Sequence, residues 1–380
     1  MKYDYIIVGA GLAGASLASL LAQKNNKVLV IEKRDHIAGN AYDYKQDGIL
    51  IHKYGPHIFH TNDLEVLEFL KNYTEFYDYK HKVLGHIDDK LQVPIPFNLK
   101  SLELCFGNSS EIKEELFKYF KYDERVTIHD LLEHENLTLK NLGEFIFEKI
   151  FKFYTMKQWG LKASELDLSI LKRVPITLSY NDYYFNDKYQ MMPLNGYTAM
   201  VKKMLDHPNI DLILNKDALS DLKLDAGKIY YQDKLYEGRL IFTGQIDELF
   251  NFTFGKLNYR SLEFDLKYYD QTFQKYATEN YPQAKNIIPY TRISEYKHLM
   301  KDCNKKHSYV HVEYPKDYNY DDQDIPYYPI INENNLAIYN KYLELNKDYP
   351  NLYLIGRLAQ YRYYNMDAII KEAINLSKKL

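Results

Sequence analysis

The chain has 380 residues, enough for two or three domains around a sizeable hydrophobic core. Its formal net charge is −3, so the composition gives no reason to expect a nucleic-acid partner. The two cysteines, Cys105 and Cys303, lie far apart and lack the spacing of a disulfide framework or a metal site. We therefore expect no bound metal and a reducing compartment.

The first forty residues predict a dinucleotide-binding βαβ unit. An apolar strand at Tyr5–Val8 leads into GAGLAG, and a second apolar strand at Val28–Ile31 ends at Glu32. The three glycines of this pattern permit a tight turn, close approach of the backbone to a pyrophosphate, and close packing of helix on strand. A carboxylate at the position of Glu32 can accept hydrogen bonds from a ribose diol. A purely structural glycine turn is the alternative interpretation.

The uncharged run over residues 5–22 is neither a signal peptide nor a membrane span by its pattern. Asp4 places an acidic residue in the segment that is basic at the start of a signal peptide, and three glycines interrupt the apolar run. We therefore expect no membrane association and a cytoplasmic protein.

Apolar spacing predicts the remaining elements. Residues 100–172 are expected to be helical, with amphipathic stretches at Glu111–Tyr119 and Leu142–Tyr154. Further helices are predicted near Asp63–Asn72, at 200–206 and at Asp367–Leu380. Strands are predicted at Ile210–Leu214, Lys228–Tyr231, Arg239–Phe242, Arg260–Leu266, Ile287–Tyr290, Ser308–Val312 and Leu352–Ile355, and a solvated loop is predicted at 317–324.

This order of elements predicts a mixed α/β fold. A discontinuous Rossmann-like FAD-binding domain would carry an inserted helical domain and an antiparallel β-sheet domain. Thr243-Gly244 and Gly356-Arg357 each follow a predicted strand, as expected for second and third turns over a long cofactor. The predicted boundaries are 1–78, 191–250 and 345–380 for the FAD-binding domain, 79–165 for the helical domain, and 177–190 with 251–344 for the sheet domain.

Arginine is scarce in this lysine-rich chain. Where lysine is the default cation, arginine should persist at planar, bidentate contacts to phosphate or carboxylate. This argument nominates diphosphate-binding candidates among only eight residues, Arg34, Arg125, Arg173, Arg239, Arg260, Arg292, Arg357 and Arg362.

Several longer motifs resemble the UDP-galactopyranose mutases, a family of flavoproteins. They extend over nearly the whole chain and are far more specific than the glycine fingerprint. The matching segments are GAGLAG with Glu32-Lys-Arg34, YGPHIFHT from Tyr54, PIPFN from Pro94, YTMKQWG from Tyr154, RVP from Arg173, YYF from Tyr183, TGQID from Thr243, YRSL from Tyr259, YTRI from Tyr290, YYP from Tyr327 and GRLAQYRY from Gly356.

The resemblance implies the interconversion of UDP-galactopyranose and UDP-galactofuranose with reduced FAD. As it implies, flavin N5 attacks the anomeric carbon and UDP leaves. The adduct opens to an iminium, the sugar recloses as a five-membered ring, and UDP returns. It also implies a homodimer, activation by NAD(P)H or another reductant, and supply of galactofuranose to a cell-surface polysaccharide.

The same resemblance implies site residues. The residues implied for catalysis are Arg173, Arg292, His57 and His60. Those implied for substrate binding are Tyr154, Trp159, Arg173, Tyr184, Arg260, Arg292, Tyr328 and Tyr363, with Tyr327 a rival for Tyr328 because paired tyrosines blur the register. The segment of Arg173, near 166–176, would be a mobile loop. Cofactor contacts are implied for Gly9, Gly11, Leu12, Ala13, Gly14, Glu32, Lys33, Arg34, Gly39, Asn40, His57, Ile58, Thr243, Gly244, Gly356, Arg357, Asn365 and Met366.

Two positions depart from the family pattern. Ala38 replaces a common glycine, a mild change if its φ is negative. Asn365 stands where many members have aspartate, which puts any role for an acid there in doubt, and Asp367 lies two residues too far on to replace it.

Three alternatives stay open at this point. An N-acetylated galactose could be the sugar, if the pocket has room near its C2. An FAD-dependent oxidoreductase of the amine-oxidase type would share the nucleotide-binding fold and would consume an electron acceptor. A non-catalytic protein, as the Rab GDP-dissociation inhibitors resemble, would have kept the fold and lost the flavin.

Overall fold

A computed structural model describes residues 2–160, 175–321 and 324–380. The chain folds as two compact units. The first comprises Met1–Asp78, Asp187–Ser261 and Tyr318–Leu380, and the second comprises Tyr79–Asn186 and Leu262–Asp317. The finer division into three domains stays a prediction.

A five-stranded parallel sheet organises the first unit. Its order is Ile210–Ile213, Val28–Ile31, Tyr5–Val8, Arg239–Phe242 and Leu352–Leu354, and every neighbouring pair is parallel. Strands from distant parts of the sequence therefore meet beside the first βαβ unit, as the sequence predicts. The central strands are buried because both faces are covered. On one face their side chains pack with Ile229 and Tyr231 of the strand Lys228–Tyr231 and with Tyr342.

Three helices pack together on this sheet. Leu12–Gln23 contacts both Tyr197–Leu205 and the C-terminal helix Met366–Lys379. Its small residues, including Ala15 and Ala18, are fully buried, so the helices approach closely.

The rest of the first unit consists of short strands and helices around this core. The further strands are Asp43–Gln46, Ile49–His52, Phe59–Thr61, Phe76–Asp78, Tyr189–Pro193, Leu222–Asp225, Lys228–Tyr231, Lys234–Leu235 and Tyr328–Pro329. The further helices are Leu64–Lys71, Ile246–Leu249 and Glu333–Asn346, and 3₁₀ turns lie at Gly39–Ala41 and Ala218–Ser220. Tyr328–Pro329 pairs antiparallel with the start of the long strand Tyr259–Tyr269.

A mostly antiparallel sheet forms one part of the second unit. From Tyr259–Tyr269 the order continues through Ser308–Asp317, Arg292–Glu295, Thr278–Asn280, Val83–His86 and Gln92–Ile95. The pair of Thr278–Asn280 with Val83–His86 is parallel.

Helices form the other part of the second unit. They are Leu99–Cys105, Ser109–Tyr119, Ile128–Leu132, Leu137–Ile146 and Lys152–Trp159, with a π-helical turn at Phe147–Phe151. The strands Arg125–Thr127 and Pro175–Thr177 form a small antiparallel pair. The unit also contains a 3₁₀ turn at Tyr296–Leu299. Asn136 starts one helix by accepting from the N–H groups of Thr138 and Leu139. Leu139, Leu142 and Ile146, at three- and four-residue spacing, are buried in the core of this part.

One predicted segment is wrong, and another is right only in part. Ile287–Tyr290 is not a strand, because the carbonyl groups of Ile288 and Tyr290 accept from the Lys157 ammonium instead of a neighbouring strand. The predicted loop at 317–324 is not simply solvated. Tyr318 and Tyr320 pack on the core of the first unit, and their hydroxyl groups donate to Gln245 and Asp247.

Several other elements escaped prediction, among them the strands Val83–His86, Gln92–Ile95, Thr278–Asn280 and Arg292–Glu295. The strand Arg125–Thr127 lies within the stretch expected to be helical. The helix Glu333–Asn346 fully buries only Asn335 and Tyr342, while Ile338, Tyr339 and Leu343 pack against the core and stay partly exposed. Asn332 starts it by accepting from the Asn335 N–H.

Candidate functional site

A cavity of about 270 Å³ lies in the first unit, at the carboxyl ends of the parallel strands. Ligands of open α/β sheets bind at this end. The chain segments that line it include the GAGLAG turn, residues 216–219, Thr243-Gly244 and Gly356-Arg357.

The first glycine turn has no space for a side chain at Gly9 or Gly14. Gly9 has a φ of +103°, and a Cβ on Gly14 would come within 2.0 Å of the Gly9 carbonyl oxygen. Gly11 starts the helix Leu12–Gln23 without a side-chain cap, so the N–H groups of its first turn are left to a ligand. Such a helix start favours an anion.

Glu32 and Arg34 occupy the next part of the cavity. The Glu32 carboxylate accepts from the Ala10 N–H at 2.8 Å and the Arg34 N–H at 3.0 Å. Arg34 donates from Nη2 to Asn40 at 2.9 Å and lies 4.8 Å above the Tyr54 ring. Its Nη1 is buried and has no hydrogen-bond partner among the described residues. An orphaned guanidinium donor in a cavity fits a ligand with acceptor oxygens.

The second and third turns meet across the cavity. The Thr243 hydroxyl donates to the Val8 carbonyl at 2.7 Å, and Gly356 lies beside Thr243 with a φ of +110°. Arg357 donates to the Tyr327 carbonyl at 3.0 Å and to the Tyr364 carbonyl at 2.6 Å, so its side chain is held in place.

Nearly all residues predicted to contact the cofactor line this one cavity. Gly14 and Ile58 do not line it. Asn365 lies at the start of the C-terminal helix, where it makes no side-chain cap. Asp367 accepts from the Thr61 hydroxyl at 2.9 Å, so its carboxylate is already engaged there.

The backbone conformation of Ala38 differs from the expected one. Its φ is +71°, the left-handed region that costs an L-residue free energy. The condition under which the substitution of glycine would be mild therefore does not hold.

The sequence reasoning missed several lining residues. They are Lys216, Asp217, Gln245, Glu248, Pro326 and Tyr364, among others. Gln245 is buried, accepts from the Tyr318 hydroxyl at 3.0 Å, and has no partner for Nε2 among the described residues. Its position inside the TGQID segment was the available signal. Burial raises the pKa of Glu248.

Three residues predicted to bind substrate, Arg260, Tyr328 and Tyr363, lie in a cluster with Arg357. The Arg357 guanidinium lies 5.2 Å from the Tyr328 ring and 4.9 Å from the Tyr363 ring. These two rings stack at 5.9 Å, and Tyr328 pairs with the buried Arg260 across the strand ladder. Tyr327 is buried and lines the cavity, whereas Tyr363 is about half exposed.

The two predicted histidines have different surroundings. His57 lines the cavity and donates from Nδ1 to the Gly55 carbonyl at 2.8 Å. His60 donates from Nδ1 to the Asp187 carboxylate at 2.8 Å, with both side chains largely buried. Only His57 therefore lines the cavity directly.

The second unit holds the other predicted residues. Arg292 donates from Nε to Glu313 at 2.7 Å, directly across adjacent strands. Tyr184 donates its N–H to the His81 carbonyl at 2.8 Å, and its ring meets that of His81 edge-on. Arg173 lies outside the described residues.

The helix Lys152–Trp159 carries Tyr154 and Trp159 and ends at Gly160, which has a φ of +67°. Between them Lys157 is buried, and its Nζ donates to three carbonyl oxygens of residues 281–290 at 2.6 to 3.1 Å. Burial lowers the pKa of Lys157 to about 8, whereas the three acceptors favour its charged form.

Comparison with known proteins identifies the family. A family model described as UDP-galactopyranose mutase matches residues 149–363, more than half of the chain. The chain belongs to the UDP-galactopyranose mutase family. A model of the NAD(P)-binding Rossmann-like domain matches residues 7–73, where the glycine turn and Glu32 lie.

Relatives within the UDP-galactopyranose mutase family span the whole chain. The UDP-galactopyranose mutase of Mycoplasma genitalium is 38% identical, covering 100% of this chain and 95% of the relative. The dTDP-fucopyranose mutase of Escherichia coli is 35% identical, covering 98% and 97%. The names of these two relatives differ in both the nucleotide and the sugar of the substrate.

Solved structures confirm the predicted fold class. A crystal structure of reduced UDP-galactopyranose mutase matches with a TM-score of 0.70 at 15% identity, covering 100% of this chain and 93% of that chain. A putrescine oxidase matches with a TM-score of 0.56 at 11% identity, covering 100% and 99%. At such identities the likeness shows the fold alone.

FAD, the cofactor of this family, fits the residues that are present. The three glycine turns, the uncapped helix start and the orphaned Arg34 Nη1 suit a dinucleotide with a diphosphate. In residues 2–160, 175–321 and 324–380, no group of His, Cys, Asp or Glu could hold a metal ion. Nor does a helix in those ranges combine the length and apolarity that crossing a membrane requires.

Proposed function

We propose that this protein is a flavin-dependent mutase that interconverts UDP-galactopyranose and UDP-galactofuranose. The observation that carries the proposal is the cavity, where three glycine turns from distant segments meet in a chain that resembles the mutases over its full length. When bound and reduced, FAD supplies the nucleophilic N5 and also carries the proton needed for ring opening.

The protein's own residues bind and orient. We propose that the first glycine turn, Glu32 and Arg34 hold the dinucleotide, and that Arg292 and Arg173 hold the UDP diphosphate. A guanidinium fork suits the charge that grows on departing UDP. Arg292 is held in one orientation by Glu313, which lowers the cost of ordering it on binding.

The aromatic residues have two proposed roles. Tyr154, Trp159 and Tyr184 provide faces for the uracil, with Tyr154 and Tyr184 as the more direct contacts. Tyr328 and Tyr363 donate phenolic hydroxyl groups to phosphate or sugar without adding charge. Arg357 holds their two rings through cation–π contacts, so this pair is ordered before a ligand arrives.

Of the two histidines, we propose that His57 sets backbone groups against the flavin and that His60 faces the sugar. Acid–base work by either imidazole is not required, because the reduced flavin can itself carry the proton.

The test is chromatographic. Dithionite-reduced protein is incubated with UDP-galactofuranose, and we expect UDP-galactopyranose to accumulate. The same protein with oxidised flavin should convert far less. Equal conversion by the oxidised form would contradict the nucleophilic role of the flavin, and no conversion by the reduced form would contradict the proposed reaction.

A dTDP sugar is a second candidate substrate. It is favoured by the 35% identity to the dTDP-fucopyranose mutase of Escherichia coli. Parallel incubations with dTDP-fucofuranose and with the N-acetylated UDP-galactofuranose decide between the sugars by their relative kcat/KM values.

The oxidoreductase alternative and the cellular setting have simple tests. An enzyme of the amine-oxidase type would consume oxygen with an amine substrate, and we expect no consumption. A colourless preparation that FAD cannot reconstitute would favour the non-catalytic alternative. We further propose a cytoplasmic homodimer, reduced by NAD(P)H or another reductant, that feeds a cell-surface polysaccharide. The two unpaired cysteines suit that compartment, and ultracentrifugation tests the oligomer.

A further inference from the structure

Lys157 joins two parts of the second unit that carry proposed substrate residues. It belongs to the helix Lys152–Trp159, three residues after Tyr154 and two before Trp159. Its ammonium donates to the carbonyl oxygens of Tyr281 at 2.6 Å, Ile288 at 3.1 Å and Tyr290 at 2.7 Å. An ammonium has three N–H donors, and three acceptors converge on this one.

The acceptors belong to an irregular segment whose own backbone hydrogen bonds are few, among them those from the Ile287 and Ile288 N–H groups to the Ala284 carbonyl. Residues 281–291 lie between the strands Thr278–Asn280 and Arg292–Glu295 and have no regular secondary structure. Backbone carbonyl groups in such a segment must find donors elsewhere when they are buried. Lys157 supplies donors to three of them, at both ends of the segment.

Aromatic packing fixes the same segment from its other side. Tyr281 stacks on His86 at 4.3 Å and meets Tyr290 edge-on at 4.8 Å. The Tyr281 N–H donates to the Thr291 carbonyl at 2.8 Å, and the next residue is Arg292. The backbone that aims the Arg292 side chain is therefore tied through Tyr290 to Lys157.

We propose that Lys157 is a positioning residue that sets the Arg292 segment against the helix carrying Tyr154 and Trp159, so that the contacts to the diphosphate and to the base are held in register. The inference rests on the proposed function, since it takes Arg292 and Tyr154 as UDP contacts. Lysine is rarely buried this fully, and its ammonium brings three N–H donors to three carbonyl oxygens.

The test compares Lys157→Met with Lys152→Met in the FAD-loaded protein. Methionine keeps an unbranched side chain and removes the three donors. Lys152 begins the same helix, but its ammonium pairs with Glu148 at 2.8 Å, so Lys152→Met changes the same chemistry outside the carbonyl cluster. The Kd for UDP, the kcat/KM for UDP-galactofuranose, the flavin content and amide hydrogen exchange are measured for each.

We expect Lys157→Met to raise the Kd for UDP about tenfold and to lower kcat/KM about a hundredfold. Amide exchange at 281–292 should accelerate while flavin content stays that of the wild type. Lys152→Met should match the wild type. Unchanged UDP affinity and exchange in Lys157→Met would overturn the inference, whereas a wild-type protein that neither binds UDP nor converts the sugar would overturn the proposed function instead.

Lys157→Met leaves three carbonyl groups without a donor and could fail to fold. Lys157→Arg then decides, because it restores a cation with several donors. In a flavin-loaded Lys157→Arg protein, a Kd for UDP within about threefold of the wild type supports the inference, and a larger loss contradicts it.

Discussion

The Nε of Arg292 donates to the Glu313 carboxylate at 2.7 Å, directly across two adjacent antiparallel strands. The Glu313 side chain is 2% exposed and that of Arg292 is 24% exposed. The carboxylate thus anchors one edge of the guanidinium and leaves part of it accessible. This geometry orients a cation for an incoming anion.

Glu313→Ala should therefore weaken UDP binding by about tenfold, since Arg292 would keep its charge and lose its orientation. Glu313→Gln keeps an acceptor of the same size, and its Kd for UDP should stay within about threefold of the wild type. Isothermal titration with UDP measures both. Equal losses in the two variants would mean that the charge of Glu313, rather than its position, matters.

Arg292→Ala should lower kcat/KM for UDP-galactofuranose by at least about a hundredfold, because it removes a cation from the leaving diphosphate. Flavin content should not change, since every residue that lines the cavity belongs to the first unit. Arg125→Ala is the control, an exposed arginine of the same unit that should leave turnover intact. Loss of flavin from Arg292→Ala would show that this arginine has a different role.

Arg34→Gln should raise the Kd for FAD by about tenfold or more, the effect of losing a charge-assisted hydrogen bond. The buried Nη1 of Arg34, with no partner among the described residues, is the donor concerned. Arg239→Gln provides the comparison in the same unit, because its Nη1 already donates to Tyr5 and Leu380. Titration of apoprotein with FAD, followed by flavin fluorescence, separates the two variants.

Gly14→Ala should destabilise the protein by several kcal/mol, as a large backbone clash does. Its Cβ would lie 2.0 Å from the Gly9 carbonyl oxygen. Gly11→Ala should keep the stability of the apoprotein, because its nearest neighbour would be 3.7 Å away, yet it should bind FAD less tightly since Gly11 lines the cavity. Thermal unfolding of both apoproteins tests this contrast, and similar Tm values would contradict it.

Ala38→Gly should stabilise the protein by about 0.5 to 1 kcal/mol, the relief of a left-handed alanine less the added entropy of the unfolded chain. The φ of Ala38 is +71°. Ala337→Gly should have the opposite sign, because Ala337 is exposed within the helix Glu333–Asn346 and glycine disfavours helix. Urea denaturation gives both free energies of unfolding. A lower stability of Ala38→Gly would be inconsistent with the strain assigned to this position.

Much of the fold could be predicted because its signals are local. The strands at Tyr5–Val8 and Val28–Ile31 occur where expected, and the last strand joins the same sheet. Apolar runs, glycine spacing and helix periodicity depend on neighbours within a few residues, so they can be recognised directly in the sequence. The strand predicted at Ile287–Tyr290 does not form, because the ammonium of Lys157, far away in the sequence, donates to the carbonyl groups of Ile288 and Tyr290.

The site divides in the same way. Residue types and spacing by themselves determined the dinucleotide-binding turn, and the longer motifs identified the family. Only the tertiary structure decided that Arg292 is held by Glu313, that Lys157 joins a helix to the Arg292 segment, and that Ala38 adopts a left-handed backbone. Those features depend on distances between groups far apart in sequence and on how the surrounding chain packs, and no local pattern of residues specifies either.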